Sequence, residues 1–220
     1  MTTEAPLLAF EAVSFTYPGR TAPVFQDLSF EVAAGRFVSV EGPSGCGKST
    51  LLRLACRLEA PDAGMVRFAG QPVEAMPPGL LRRRVSYVQQ TPALLADSVR
   101  ANLHLAFGLR VNKDLTAPDD DRLRQGLAEF QLEKVSLDQP ARELSVGQKQ
   151  RLCLLRAMLL APQVLLLDEP TAALDRDNAR RVLEIVSGLN RTQGVTIVMV
   201  SHNAADARNA TAHIRLGGHR

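Results

Sequence analysis

The sequence predicts an α/β fold with a helical block set into it, on three observations. Short apolar runs of strand length alternate with stretches of helical periodicity, the pattern of a parallel sheet covered by helices. One strand runs straight into a glycine-rich loop and then a helix. Between Thr91 and Glu143 the alternation stops, and two helical stretches flank a loop bearing Pro and Asp.

In chain order, residues 7–14 and 28–32 place apolar side chains at strand spacing, with Tyr17-Pro18-Gly19 between them as a turn. Gly35 resets the chain before a short strand at 36–41 that ends on Gly42. Leu51, Leu52, Leu54 and Ala55 then form the buried stripe of a helix over 49–58. Further strands are expected at 65–68 and 85–89. The inserted block holds helices at 97–107 and 121–130 around a loop at 113–120, and closes with a helix that stops near Pro162. Residues 164–167 are continuously apolar, as in a strand buried on both faces. A helix over 176–189, a second buried strand at 195–200 and a short strand at 214–216 complete the chain.

A length of 220 residues suits one large domain or a domain with a sub-domain, and 45% hydrophobic with 22% charged residues excludes a disordered chain. The net charge of +3 is spread over scattered arginines, so charge alone does not nominate nucleic acid. The dense cluster Arg82, Arg83 and Arg84 reads as a solvated edge ahead of a strand. Cys46, Cys56 and Cys153 are an odd number without metal-ligand spacing, which fits a reducing cytosol and indicates neither a disulfide framework nor a zinc site. No run approaches the roughly 18 to 20 apolar residues that cross a bilayer, and the first eleven residues lack a leader pattern. The chain is expected to be soluble, with any membrane-spanning part supplied by another chain.

Gly42-Pro43-Ser44-Gly45-Cys46-Gly47-Lys48-Ser49-Thr50 matches the P-loop pattern, with a strand before it and a helix after. Glycines let successive N–H groups curl around a phosphate, Lys48 neutralises its oxygens, and the Ser49 hydroxyl suits Mg²⁺. Asp168 and Glu169 end the buried strand at 164–167, on the sheet edge where ligands sit in α/β folds. Asp168 is expected to hold Mg²⁺ through water and Glu169 to polarise the water that attacks the γ-phosphate. Three residues stay ambiguous by themselves: His202 is a γ-phosphate contact or a packing residue, Gln90 touches Mg²⁺ or the attacking water or does neither, and Tyr17 stacks on a base or packs a turn.

A further stretch, "ELSVGQKQRLCLLRAMLLAP" from Glu143 to Pro162, puts Ser145, Gly147 and Gln148 at a helix start. Such a start holds anions, because its first N–H groups are unpaired and the helix dipole is positive there. One chain thus carries two half-sites for one ligand.

The succession "FTYPGR", "GPSGCGKST", "YVQQ", "LSVGQKQR", "LLLDEP", "AALD" and "SHN" resembles the nucleotide-binding subunit of ATP-binding cassette (ABC) transporters over nearly the whole chain. The resemblance implies a single P-loop NTPase domain of ABC ATPase type over 1–220. Residues 1–90 and 162–220 would form a mixed-sheet core with an N-terminal antiparallel β region, and about 91–161 a helical sub-domain. It implies an ATPase using ATP and Mg²⁺, with Tyr17 stacking on adenine, Gln90, Lys48, Glu169 and His202 in catalysis, and Ser49, Gln90 and Asp168 around the metal. Asp175 falls in the D-loop. Two cassettes would form a head-to-tail homodimer in which Ser145, Gly147 and Gln148 of one close over the ATP held by Lys48 of the other, which answers the puzzle of the two half-sites. Val146 departs from the family's usual glycine, a change that keeps the backbone donors and is tolerable in a first helical turn.

The resemblance also implies an integral membrane transporter subunit as partner, a peripheral location on the cytoplasmic face of the inner (plasma) membrane, and no nucleic acid. The alternative is a soluble cassette ATPase acting on DNA or ribosomes, whose long coiled-coil insertion or second cassette is not in this sequence. The segment "TPALLADSVRANL" is expected to dock the membrane subunit through a groove lined by Leu94, Leu95 and Val99. Its wording is similar to stand-alone cassettes paired with a separate metal-exporter-type membrane protein, iron exporters among them.

Overall fold

The computed structural model describes residues 5–201 and 206–217. β1 (Leu8–Phe15) buries Leu8, Phe10, Val13 and Phe15, β2 (Phe25–Val32) buries Phe25 and Val32, and the two pair antiparallel with register shifts after Phe10 and Val13. β3 (Phe37–Glu41) leaves this pair, enters the glycine loop and continues as α1 (Lys48–Ala55). β4 (Ala63–Phe68) returns to β1, and the short β5 (Gln71–Pro72) joins β4, completing a four-stranded antiparallel sheet of order β2-β1-β4-β5.

After α2 (Pro78–Arg84), β6 (Val85–Val88) opens a second sheet. The helical block follows as α3 (Val99–His104), α4 (Asp120–Glu129) and α5 (Val146–Met158). The chain then returns through β7 (Val164–Asp168), α6 (Arg176–Gln193), β8 (Thr196–Val200) and β9 (Ala212–Arg215). The five strands are ordered β6-β7-β8-β3-β9 and every neighbouring pair is parallel. The mixed character of the β structure therefore comes from two sheets, each uniform in itself.

Both faces of the parallel sheet are covered, which is why β7 and β8 read as unbroken apolar runs. Leu165, Leu167, Ile197, Met199 and Phe37 point into a core shared with α5, α6 and the helical block. Val164, Leu166, Val198, Val200, Val38 and Val40 point the other way, into a core shared with α1 and the antiparallel sheet. The strand ends that carry the glycine loop and the Asp168–Glu169 pair are clamped between the two.

Helix α2 is absent from the sequence reading, and it gives the arginine cluster, at the solvent-facing edge ahead of β6, partners that the sequence did not show. Pro78 starts it and three arginines fill its last turn, where cations oppose the helix dipole favourably. Arg82 donates to the carbonyls of Cys56 and Arg57, Arg83 pairs with Asp114, and Arg84 lies 4.7 Å over the Phe68 ring and donates to Gln163 Oε1. The cluster staples α1, the antiparallel sheet and the helical block to one another. Helix α3 is shorter than expected, because Ser98 caps it by accepting from the Ala101 N–H and it ends at His104.

Candidate nucleotide site

The glycine loop is pressed against the start of β2. Gly47 caps α1 in a left-handed conformation, and a Cβ there would lie 2.4 Å from Val24 Cγ1 and 2.8 Å from Phe25 Cζ, so the position admits no side chain. Lys48 is buried, and its ammonium donates to the carbonyls of Gly42 and Pro43, both at 2.8 Å, spanning the loop. Ser49 Oγ donates to Asp168 Oδ1 at 2.8 Å, although 119 residues separate them. The second oxygen, Asp168 Oδ2, accepts from the Tyr87 hydroxyl at 2.7 Å. Burial first, and then the Asp168 carboxylate, push the ionisation of Tyr87 well above the ordinary phenol value, so Tyr87 keeps its proton and is the donor.

Tyr17 packs its ring edge-on against Phe15 and shares a 2.8 Å hydrogen bond with Thr50 Oγ1, which sets it beside the end of the phosphate loop. Arg53, one turn further along α1, lies close enough to Tyr87 and Tyr17 to interact with both electrostatically.

Beyond β7, the Glu169 N–H donates to the Val200 carbonyl at 3.0 Å, extending the strand pairing by one residue. Its backbone then turns to φ +47°, a left-handed conformation that a non-glycine residue adopts at a cost of about 1–3 kcal/mol. Pro170 follows, and the reversal swings the Glu169 side chain toward the end of β6, where Gln90 Nε2 donates to Glu169 Oε2 at 3.1 Å. The structure thus brings together Lys48, Ser49, Asp168, Glu169 and Gln90 on one sheet edge. The metal-facing groups, a hydroxyl and a carboxylate already joined by a hydrogen bond, are the hard oxygen donors that suit Mg²⁺. His202 lies outside the described residues.

The helix start expected to be the second half-site is on the helical block. Ser145 caps α5 by accepting from the Gln148 N–H, and the Gln148 side chain accepts from the Ser145 N–H in return. Val146, in the first turn, is 49% exposed, so its isopropyl group is accommodated without strain on neighbours. Gly147 is different: a Cβ there would lie 2.6 Å from Asn178 Oδ1 and 3.0 Å from Asn178 Cβ. Asn178 is itself held by Asp175, which caps α6, accepting from the Asn178 N–H at 2.9 Å and from Nδ2 at 2.6 Å. These donors, the backbone one foremost, hold the Asp175 carboxyl below its ordinary range. The start of α5 therefore lies close against one asparagine at the start of α6. Sequence reasoning missed Asn178, whose signal is its position three residues after a capping aspartate.

Gly147→Ala is accordingly expected to push Asn178 off Asp175 and tilt the start of α5. Nucleotide affinity of the monomer should stay within about twofold, while any ATP-driven association of two chains weakens by tenfold or more, about 1.4 kcal/mol. Sedimentation with and without ATP measures both.

A groove of about 400 Å³ opens at the β6 edge of the sheet, walled by Leu58, Tyr87, Ala93, Leu105, Leu109 and Ala157. Of the expected lining, Val99 is fully buried, Leu94 packs against the helical core, and Leu95 is 43% exposed but lies outside this groove. Leu105 and Leu109, at 40% and 51% exposure, carry its rim instead. Two thiols also line it, and burial raises both, Cys56 up to about 11, so they are neutral apolar surface at pH 7.

Comparison with known proteins gives a consistent result. The family described as "ABC transporter" matches residues 25–172. A curated protein of Escherichia coli K12 named "Probable iron export ATP-binding protein FetA" is 36% identical over all of this chain and 95% of its own length. The spermidine/putrescine import ATP-binding protein PotA of Nostoc sp. is 37% identical over 87% of this chain and 49% of its own length. Among solved structures, the dimeric post-hydrolysis state of the ATP-binding cassette MJ0796 bound to ADP and Pi superposes with a TM-score of 0.80 at 26% identity, covering 95% of this chain and 94% of that one.

Proposed function

From the premise that the chain belongs to the ABC transporter family, as one of its ATP-binding cassettes, we propose that it powers export through a separate membrane subunit and that the cargo is a metal, iron being the first candidate. As a cassette it binds ATP with Mg²⁺, hydrolyses the ATP, and works as a pair of cassettes joined to membrane subunits. We take 1–220 as one cassette whose helical part, about 91–161, carries the α5 half-site.

The observation that carries the reading is the Ser49–Asp168 hydrogen bond, with Lys48 spanning the loop on one side and Glu169 turned toward Gln90 on the other. In this reading Lys48 and the N–H groups of Gly45 to Thr50 hold the phosphates, and Tyr17 stands against the adenine. Ser49, Asp168 and Gln90 would hold the Mg²⁺, which would supply charge neutralisation for the transferring phosphoryl group. Glu169 accepts the proton of the attacking water, and His202 completes the γ-phosphate contacts. Ser145, Gly147 and Gln148 of the second copy, with its Asp175, close the site, so hydrolysis waits on the meeting of two chains.

Support for iron is the whole-length match to the iron export cassette, since the polyamine-import relative has about twice the span. The test is cellular iron. Deleting the chain, or replacing Glu169 with Gln, should raise iron content and peroxide sensitivity; unchanged iron together with reduced polyamine uptake would overturn export.

No helix among the described residues is long and apolar enough to cross a membrane, and we place the chain peripherally at the cytoplasmic membrane face, with the groove at β6 receiving a short helix of its partner. Leu109→Asp puts a charge on the groove rim away from the nucleotide. It should release the chain from membranes while basal ATP hydrolysis stays within about twofold of wild type, and retention on washed membranes would count against this docking site.

A further inference from the structure

The chain has two tyrosines, and both lie near the positive charge of Arg53 on α1. One of them, Tyr87, occupies two places at once. Its ring stands in the wall of the groove at the β6 edge, beside Leu105, Leu109 and Ala157. Its hydroxyl, at the far end of the ring, donates to Asp168 Oδ2 at 2.7 Å. The groove and the metal-facing carboxylate are therefore separated by the thickness of one side chain.

The arrangement divides labour around Asp168. Ser49 donates its hydroxyl hydrogen to Oδ1 and keeps its lone pairs for a metal ion. The Tyr87 hydroxyl takes the other oxygen, Oδ2, so both carboxylate oxygens are held. The Arg53 guanidinium lies near the phenol oxygen and adds positive charge beside it. Hydrogen bonds to a charged acceptor are among the stronger ones in proteins, and their geometric role is to hold the acceptor in one rotamer.

We propose that Tyr87 is a positioning residue for the magnesium site: its hydroxyl holds Asp168 in the orientation that receives the ion's water shell, and its ring makes that orientation responsive to what fills the groove. The proposal rests on the reading of the groove as the docking site of the membrane subunit. Gln90 acts on Glu169 at the same sheet edge, so Tyr87 gives the groove a second and separate line, to the metal rather than to the base.

Tyr87→Phe tests it, because the ring and the groove wall stay and only the hydroxyl goes. In a Glu169→Gln background, ATP is titrated calorimetrically in EDTA and again in Mg²⁺. ATP affinity in EDTA should match the Tyr87-containing protein within twofold, while the gain in affinity brought by Mg²⁺ should fall five- to tenfold. Arg53→Gln, which removes the positive charge beside the phenol, should lower the same gain by a smaller factor. An undiminished Mg²⁺ gain in Tyr87→Phe, with a thermal melt showing a folded protein, overturns the proposal. In the complex with the membrane subunit, Tyr87→Phe without the Glu169 change should bind as tightly as wild type yet lose most of the partner's stimulation of hydrolysis. Full stimulation would overturn the link to the groove. Failure of the wild-type chain to join any membrane subunit would instead refute the docking reading, and the Mg²⁺ measurement on the isolated chain would still decide the role of the hydroxyl.

Discussion

Glu169→Gln is expected to lower ATP turnover by about 10²–10⁴-fold, the range for loss of a positioned general base, while leaving nucleotide binding intact. The substitution keeps the shape of the side chain and its hydrogen bond with Gln90, with one amide facing another, and removes only the capacity to accept a proton. The backbone reversal at Glu169, fixed by the Val200 pairing and Pro170, holds the glutamine in the same place. ATP should then persist in the site, and the two cassettes should remain joined for as long as it does. The measurement is paired: phosphate release by a coupled assay, and mass in solution by light scattering with ATP. Turnover within tenfold of wild type would move the base to another residue, and a monomer at every ATP concentration would contradict the split site.

Lys48→Ala is expected to act one step earlier, on binding. Lys48 is the buried cation of the loop, and it makes two 2.8 Å bonds to loop carbonyls, so its removal takes away a charge and a brace together. A charge-assisted hydrogen bond contributes about 1.5–3 kcal/mol, which corresponds to a loss of ATP affinity of roughly 10- to 150-fold. Calorimetry with ATP and Mg²⁺ reads it directly. The two substitutions separate the stages of the cycle: without Lys48 the pair does not form, and without Glu169 it does not part.

Those pieces of the site that depend on local chain geometry were legible in the sequence. A strand, a glycine loop and a helix start define one another within twenty residues, so Gly42 to Thr50 could be placed without a fold. The Asp168–Glu169 pair was legible because a run buried on both faces can belong only to an interior parallel strand, and its end lies at the ligand edge. What escaped was set by tertiary contacts that leave no periodic mark. Tyr87 meets Asp168 across 81 residues, and Asn178 meets Gly147 between two helix starts. The arginines of α2 escaped for another reason: the helix is seven residues long, with a proline and a glycine at its head, too short for its period to show. The groove was sought one helix too early, because Leu94 and Val99 have the composition of a docking strip but face inward, while Leu105 and Leu109 follow the end of α3 and face out.

The left-handed backbone at Glu169 bears on how this protein can be engineered. Glycine or asparagine would relax that residue, and selection for heat resistance alone would favour either one. The hardiest variants from such a screen should therefore include inert ones, and a thermostability campaign on this scaffold needs an activity gate at this single codon.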